Sequence, residues 1–261
     1  KGADSITISL LHAYANPAHE QRLRDIIASA YPDLPISLSS EILPEFREYE
    51  RTLVTVMNAY VRPGMHRYLD NFRHKLDNEQ FNSRLHIVRS DSGLMSVERA
   101  MESPVYTLLS GPAGGVAGAA HLSGLAGYPN ALGFDMGGTS TDVSLIQDGE
   151  PTSSRQTSLG SYPVKIPSVE VHSVGAGGGS IAHVPMTGAI RVGPESAGAA
   201  PGPACYGKGG PAATVTDANV VLGRLPESLL DGRMTLDTKA AEDVVGALGR
   251  PLNLDLYETA Q

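Results

Sequence analysis

The sequence predicts an α/β fold, a mixed β-sheet with helices packed around it. Three features carry that expectation. Ser5–Leu38 reads as strand, helix, strand. Ala131–Gln147, ALGFDMGGTSTDVSLIQ, places two β-like runs on either side of a tight turn of small polar residues. Two helix-favouring regions, Glu45–Asp77 and Asp237–Leu248, supply the packing helices.

Ser5–Leu11 is β-branched and apolar, the pattern of a buried strand. Pro17 stands where a helix would begin, and Leu23, Ile26, Ile27 and Ala30 follow at helical spacing. Pro32 and Pro35 end that helix before a short strand at Ile36–Leu38. His12 and His19 are isolated and read as polar or capping residues rather than metal ligands. In Glu45–Asp77, the residues Phe46, Tyr49, Leu53, Val56, Met57 and Tyr60 fall on one helical face, the expected packing face. Arg62-Pro63-Gly64 is expected to kink or break that helix before a second one over Met65–Leu76. Leu85–Val88 reads as a strand, and Val97–Met101 as a short helix ended by Ser103-Pro104.

Thr107–Leu125 runs from a short apolar strand into Ser110-Gly111-Pro112 and then an Ala/Gly-rich helix. Gly114, Gly115 and Gly118 each weaken that helix by roughly 1 kcal/mol relative to Ala. Close packing on a sheet or close approach to a ligand would offset the loss, and the helix start near Gly111 would suit an anion.

The hairpin Ala131–Gln147 carries the most chemistry. Gly137 and Gly138 allow backbone N–H groups to line a concave anion site, and Thr139, Ser140 and Thr141 offer hydroxyl donors. Asp135 and Asp142 flank the turn, where they would hold a hydrated Mg²⁺ or orient a water. An ordinary hairpin turn uses the same residue types, so both readings stand on spacing alone. Val171–Ile181, VHSVGAGGGSI, follows with four glycines in five residues, Gly175, Gly177, Gly178 and Gly179. Such a run costs folding entropy, and approach to a ligand or to another backbone would justify it.

Gly202–Lys208 nearly spells a P-loop. Gly209 stands where Ser or Thr must ligate Mg²⁺, Pro203 interrupts, and the strand and helix context is missing. Cys205 reads as a small structural thiol. Thr216–Gly223 reads as a helix with Thr216 or Asp217 as its N-cap.

The totals narrow the functional class. The chain has 261 residues, 41% hydrophobic and 18% charged, with a net charge of −8. That size allows one large domain or two smaller ones. The acidic balance argues against a nucleic-acid partner. One cysteine precludes an internal disulfide and suits a reducing cytoplasm. No stretch is long and apolar enough to read as a membrane span. The sequence starts at Lys1 rather than Met, directly before a strand-like run, which is the expectation for an excised piece of a longer protein.

Five ordered stretches together resemble the hydantoinase A/5-oxoprolinase family: TLLSGPAGGVAGA, GFDMGGTSTDVSL, HSVGAGGGSIA, RVGPESAGAAPGPACYGKGG and TDANVVLGRL. ITISLLHAYANPAHEQRL and SDSGLMS fit the family's order, with Ser92 where a glycine is expected. The resemblance covers about residues 5 to 225 and implies one lobe of an actin-like ATPase (ribonuclease H-like) fold. It implies a partial N-terminal α/β region over 1–104 and the ATPase lobe over 105–261. It implies ATP and Mg²⁺ as cofactors, with Gly137, Gly138, Thr139, Ser140 and Thr141 cradling phosphate. Asp135 and Asp142 would serve as catalytic and metal-holding carboxylates, and Gly175, Gly177, Gly178 and Gly179 would lie near the nucleotide. The implied activity is ATP-dependent opening of a small cyclic amide, with a hydantoinase B-type partner subunit. A ketone carboxylase subunit or a non-catalytic nucleotide-binding scaffold are the alternatives. The family's first Asp-Gly-Gly-Thr hairpin and a later glycine-rich adenosine segment are not found in this sequence.

Overall fold

The computed structural model describes every residue except Lys1, Asn82 and Thr187. The chain forms two compact units, Lys1–Ala131 with Leu145–Val171, and Leu132–Ser144 with His172–Gln261. The boundary expected after residue 104 falls inside the first unit.

In the first unit, strand β1 (Ile6–Ile8), helix α1 (Ala18–Ala30) and strand β2 (Ile36–Leu38) follow one another. The strands pair in parallel, Ile6 opposite Ile36, so α1 is their crossover, as the apolar spacing implied. Helix α2 (Ser39–Ile42) leads to α3, which runs unbroken from Glu48 to Asn78. The expected break at Pro63 does not occur. Proline cannot donate to the carbonyl four residues earlier, that of Ala59. The Ser5 hydroxyl donates to that carbonyl instead, at 2.8 Å. The expected apolar face of this helix is also not the buried one. Phe46, Tyr49, Val56 and Tyr60 are exposed, while Arg51, Val54, Thr55 and Asn58 are buried. Polar residues occupy that face because each finds a partner: Asn58 Nδ2 donates to Ser37 Oγ and the Glu102 carbonyl, and Asn58 Oδ1 accepts from the Val105 amide.

Strands β3 (His86–Val88) and β4 (Leu94–Ser96) form an antiparallel hairpin whose turn holds Ser92 at φ 62°. That left-handed conformation explains why a glycine suits the position. Helices α4 (Val97–Glu102) and α5 (Ser110–Leu125) follow. Ala113 and Val116 of α5 pack on Val169, with Val171 beside them. Three glycines of α5 do not pack tightly within this unit: a Cβ at Gly111 or Gly118 would meet nothing within 4 Å, and one at Gly114 would only touch Val88 at 4.0 Å. Besides the cluster at Val169, two larger apolar ones lie in the unit among the described residues, one around Ile42, Val54, Val105 and Ile166, the other around Leu69, Met95, Val97 and Met101.

Strand β5 (Ala131–Met136) and strand β6 (Thr141–Gln147) flank the turn Gly137–Ser140. Strand β7 (Val171–Val174) lies on the other side of β6, in the order β7-β6-β5. Glu150–Pro151 extends the same sheet by pairing with the end of β6. Strands β8 (Ser180–His183) and β9 (Arg191–Ser196) form a further antiparallel pair. Among the described residues the strands are dispersed over seven small sheets, the largest of four strands, rather than gathered in one. Helices α6 (Val215–Val221), α7 (Thr238–Gly249) and α8 (Leu256–Ala260) complete the second unit. Cys205, Val220, Leu236 and Ala241 form its apolar cluster. The molecule is mixed α/β, and among the described residues no helix is long and apolar enough to cross a membrane.

Candidate functional site

The turn between β5 and β6 is closed by its own first amide, Gly137 N–H donating to the Ser140 carbonyl at 2.8 Å. The glycine run then seats it. Gly178 N–H donates to the Gly137 carbonyl at 2.9 Å, and Gly179 N–H to the Gly138 carbonyl at 2.6 Å. A trans peptide is planar, with its C=O and the following N–H on opposite sides. Because the Gly137 and Gly138 carbonyls face the glycine run, the Gly138 and Thr139 amides face away from it, side by side. Neither these two amides nor that of Ser140 donates to any atom among the described residues. Thr139 is exposed and Ser140 half-buried. Adjacent, unpaired amides on one side of a turn form a cradle for an anion.

The glycines behind the turn are there for backbone contact. A Cβ at Gly177 would lie 2.7 Å from the Thr139 backbone, and one at Gly179 would lie 2.9 Å from the Gly138 carbonyl oxygen. A Cβ at Gly178 would come within 2.8 Å of Thr216 Oγ1. Of the two sequence accounts of this run, approach to another backbone is the one seen at Gly177 and Gly179. Gly175 differs, since nothing lies within 4 Å of a Cβ placed there. Thr141 departs from the expected phosphate donor, because its buried hydroxyl donates to the Ala176 carbonyl at 2.5 Å.

Asp135 is the exposed penultimate residue of β5, and Asp142 is half-buried near the start of β6. Ser173 Oγ donates a short hydrogen bond to Asp142 Oδ1, which leaves Oδ2 for other partners. Among the described residues, no three His, Cys, Asp or Glu side chains gather as a metal cage. Two carboxylates flanking a turn with unpaired amides match what a largely hydrated Mg²⁺ takes beside phosphate oxygens, commonly one or two protein carboxylates.

A second layer escaped the sequence reading. The Gly178 carbonyl accepts from both the amide and the hydroxyl of Thr216, each at 2.8 Å. Thr216 sits in the first turn of α6, whose N-cap is Thr214 rather than Thr216 or Asp217. Thr214 and Asp217 form a reciprocal capping box, a signal visible in the spacing Thr-x-x-Asp. Buried Asp217 also accepts from the Cys205 amide at 2.8 Å and the Ala204 amide at 3.3 Å, tying the 3₁₀ turn Ala204–Tyr206 to the helix. Burial, and then the Asp217 carboxylate, push the Cys205 thiol up to about 12, so it stays protonated and inert near neutral pH. The P-loop-like stretch is a packing loop: a Cβ at Gly210 would fall 2.2 Å from the Gly202 carbonyl oxygen.

The chain as a whole resembles known proteins. The hydantoinase/oxoprolinase family model matches residues 51–261, and the chain belongs to that family. The alpha subunit of caprolactamase from Pseudomonas jessenii is 37% identical over 258 residues, covering 98% of this chain and 37% of that subunit. 5-Oxoprolinase 1 of Arabidopsis thaliana is 41% identical over 224 residues, covering 85% of this chain and 17% of that protein. The nucleotide-free structure of acetone carboxylase, an enzyme of ATP-dependent acetone carboxylation, superposes with a TM-score of 0.78 at 32% identity, over 98% of this chain and 37% of that one. The chain therefore spans well under half the length of these relatives.

Proposed function

We propose that the turn Gly137–Ser140 receives the terminal phosphates of ATP, and that the whole protein uses ATP to open a small cyclic amide. The observation that carries this reading is the pair of unpaired amides, Gly138 and Thr139, held on one side of the turn by the glycine run. The chain then forms part of an actin-like ATPase lobe. Gly138, Thr139 and Ser140 supply backbone donors, and the Thr139 and Ser140 hydroxyls add two more. Gly177, Gly178 and Gly179 hold the turn from behind, and Gly175 borders the nucleotide. Asp135 and the free oxygen of Asp142 would hold the water shell of a Mg²⁺ ion, which would supply positive charge against the phosphate oxygens.

In the reaction, the γ-phosphoryl group moves from ATP to the amide carbonyl oxygen and ADP departs. Water then adds to the activated carbon and the ring C–N bond breaks, leaving the free amine and an acyl phosphate. A second water hydrolyses the acyl phosphate to the carboxylate and free phosphate. The protein's share is positioning and charge neutralisation. A hydantoinase B-type partner subunit completes the enzyme, which works in the cytoplasm. The likeness to acetone carboxylase favours one other reading, in which the same turn serves ATP-dependent activation for ketone carboxylation.

Single-turnover assays on the full-length protein with its partner subunit decide between them. ATP cleavage that requires hydantoin, 5-oxoproline or a lactam supports the amide reading. Cleavage that requires bicarbonate and a ketone transfers the assignment to the carboxylases. Cleavage indifferent to either overturns both.

A further inference from the structure

The first unit contains a cavity of about 380 Å³ unrelated to the phosphate turn. Arg24 from α1, Glu41 from α2, Arg62 from α3, and Arg99 and Glu102 from α4 line it, together with Ser37 of β2. Three guanidinium groups thus meet two carboxylates, which leaves one positive charge in excess.

The pairing identifies which charge is left over. Arg24 Nη1 meets Glu41 Oε1 at 2.5 Å, and Arg99 Nη1 lies 3.6 Å from Glu102 Oε2. Arg62 has no carboxylate within ion-pair distance among the described residues. Its Nη1 donates to the Ile36 carbonyl at 2.6 Å, which fixes the guanidinium, and its other N–H donors have no hydrogen-bond partner among the described residues. Arg62 is half-buried, and burial lowers its pKa, opposed by the charges of Glu102 and Glu41. It stays charged, as arginine does in proteins. Removing a cation from water without a counter-ion is costly, and an arriving anion recovers that cost as charge-assisted hydrogen bonds. Ser37 Oγ accepts from Asn58 Nδ2 at 3.0 Å, so its own proton is available to an anion.

We propose that this cavity binds a small oxyanion, a carboxylate or phosphate group, against the Arg62 guanidinium. The volume is that of a small-metabolite pocket, at the low end of ligand sites. The fork of N–H donors matches two oxygens of either group. The site does not depend on the nucleotide reading, because none of its residues belongs to the phosphate turn.

Thermal melts of the full-length protein test it, with sulfate and malonate each titrated against chloride at matched ionic strength. Wild-type protein should show saturable stabilisation by at least one of these anions. Arg62→Gln should weaken that response at least tenfold, provided its circular dichroism is native. Glu41→Gln, an exposed and structurally mild change, raises the positive excess and should tighten binding several-fold. Thr139→Ala separates the phosphate turn and should leave the malonate response unchanged. Absence of saturable stabilisation in the wild type overturns the proposal. So does an unaltered response in Arg62→Gln, or one in Glu41→Gln that is unaltered or weaker.

Discussion

Gly177 has no room for a methyl group, since its Cβ would stand 2.7 Å from the backbone of Thr139. Gly177→Ala should therefore destabilise the protein by about 1–3 kcal/mol, read as a shift in urea midpoint, and should displace the turn Gly137–Ser140. Gly175→Ala, with open space at the same atom, should stay within about 0.5 kcal/mol of wild type. Equal effects at the two positions would remove the backbone-seating account. At Glu20 the argument is electrostatic. The side chain is fully buried, and its oxygens accept from the Leu10 amide at 2.8 Å, Ser39 Oγ at 2.6 Å and the Ser40 amide at 2.9 Å. Burial works to raise its pKa, but these donors outweigh it, and the value falls below the ordinary 4.5. The folded-state value lies below the unfolded one, so the stabilisation is present above about pH 4.5 and is lost as pH falls through the lower value. Glu20→Gln should flatten that acid limb in a stability–pH profile. A limb of unchanged slope would contradict the assignment.

Helix α3 shows why some elements were legible and others were not. Its existence follows from local composition, yet its continuity across Pro63 depends on a hydroxyl from residue 5. Ser5→Ala leaves the Ala59 carbonyl without its donor and should cost about 1 kcal/mol, with faster amide exchange around Pro63. Unchanged exchange there would show that water serves as well. The same helix turned its polar side inward. Periodicity picked the face with Phe46, Tyr49 and Tyr60, but Arg51 and Asn58 are buried because bonds from distant segments satisfy them. Strand–helix–strand at the start, the β5–β6 hairpin, α4 and α7 were all readable, because each is specified by residues close together in sequence. The cap of α6 was misplaced at Thr216 or Asp217, although the Thr214-x-x-Asp217 box that marks it lies within four residues.

At the level of the whole molecule, the proposed turnover is to be measured on the full-length protein, since this chain covers 37% of the caprolactamase subunit it resembles. There, Asp135→Ala should lower ATP-dependent turnover on the order of 10²-fold or more, with ATP affinity measured alongside. Wild-type turnover in that variant would end its assignment as a metal-positioning carboxylate. Sequence by itself determined the family, the α/β class and the turn that is the candidate site, because small residues and flanking acids mark a local backbone shape that needs no distant partner. Tertiary structure alone decided what each glycine does. It set Gly177 and Gly179 against the turn rather than a ligand, turned two amides outward, withdrew the Thr141 hydroxyl, and brought Thr216 to the Gly178 carbonyl. Those outcomes depend on which atoms meet across tens of residues, and a one-dimensional pattern carries no record of such meetings.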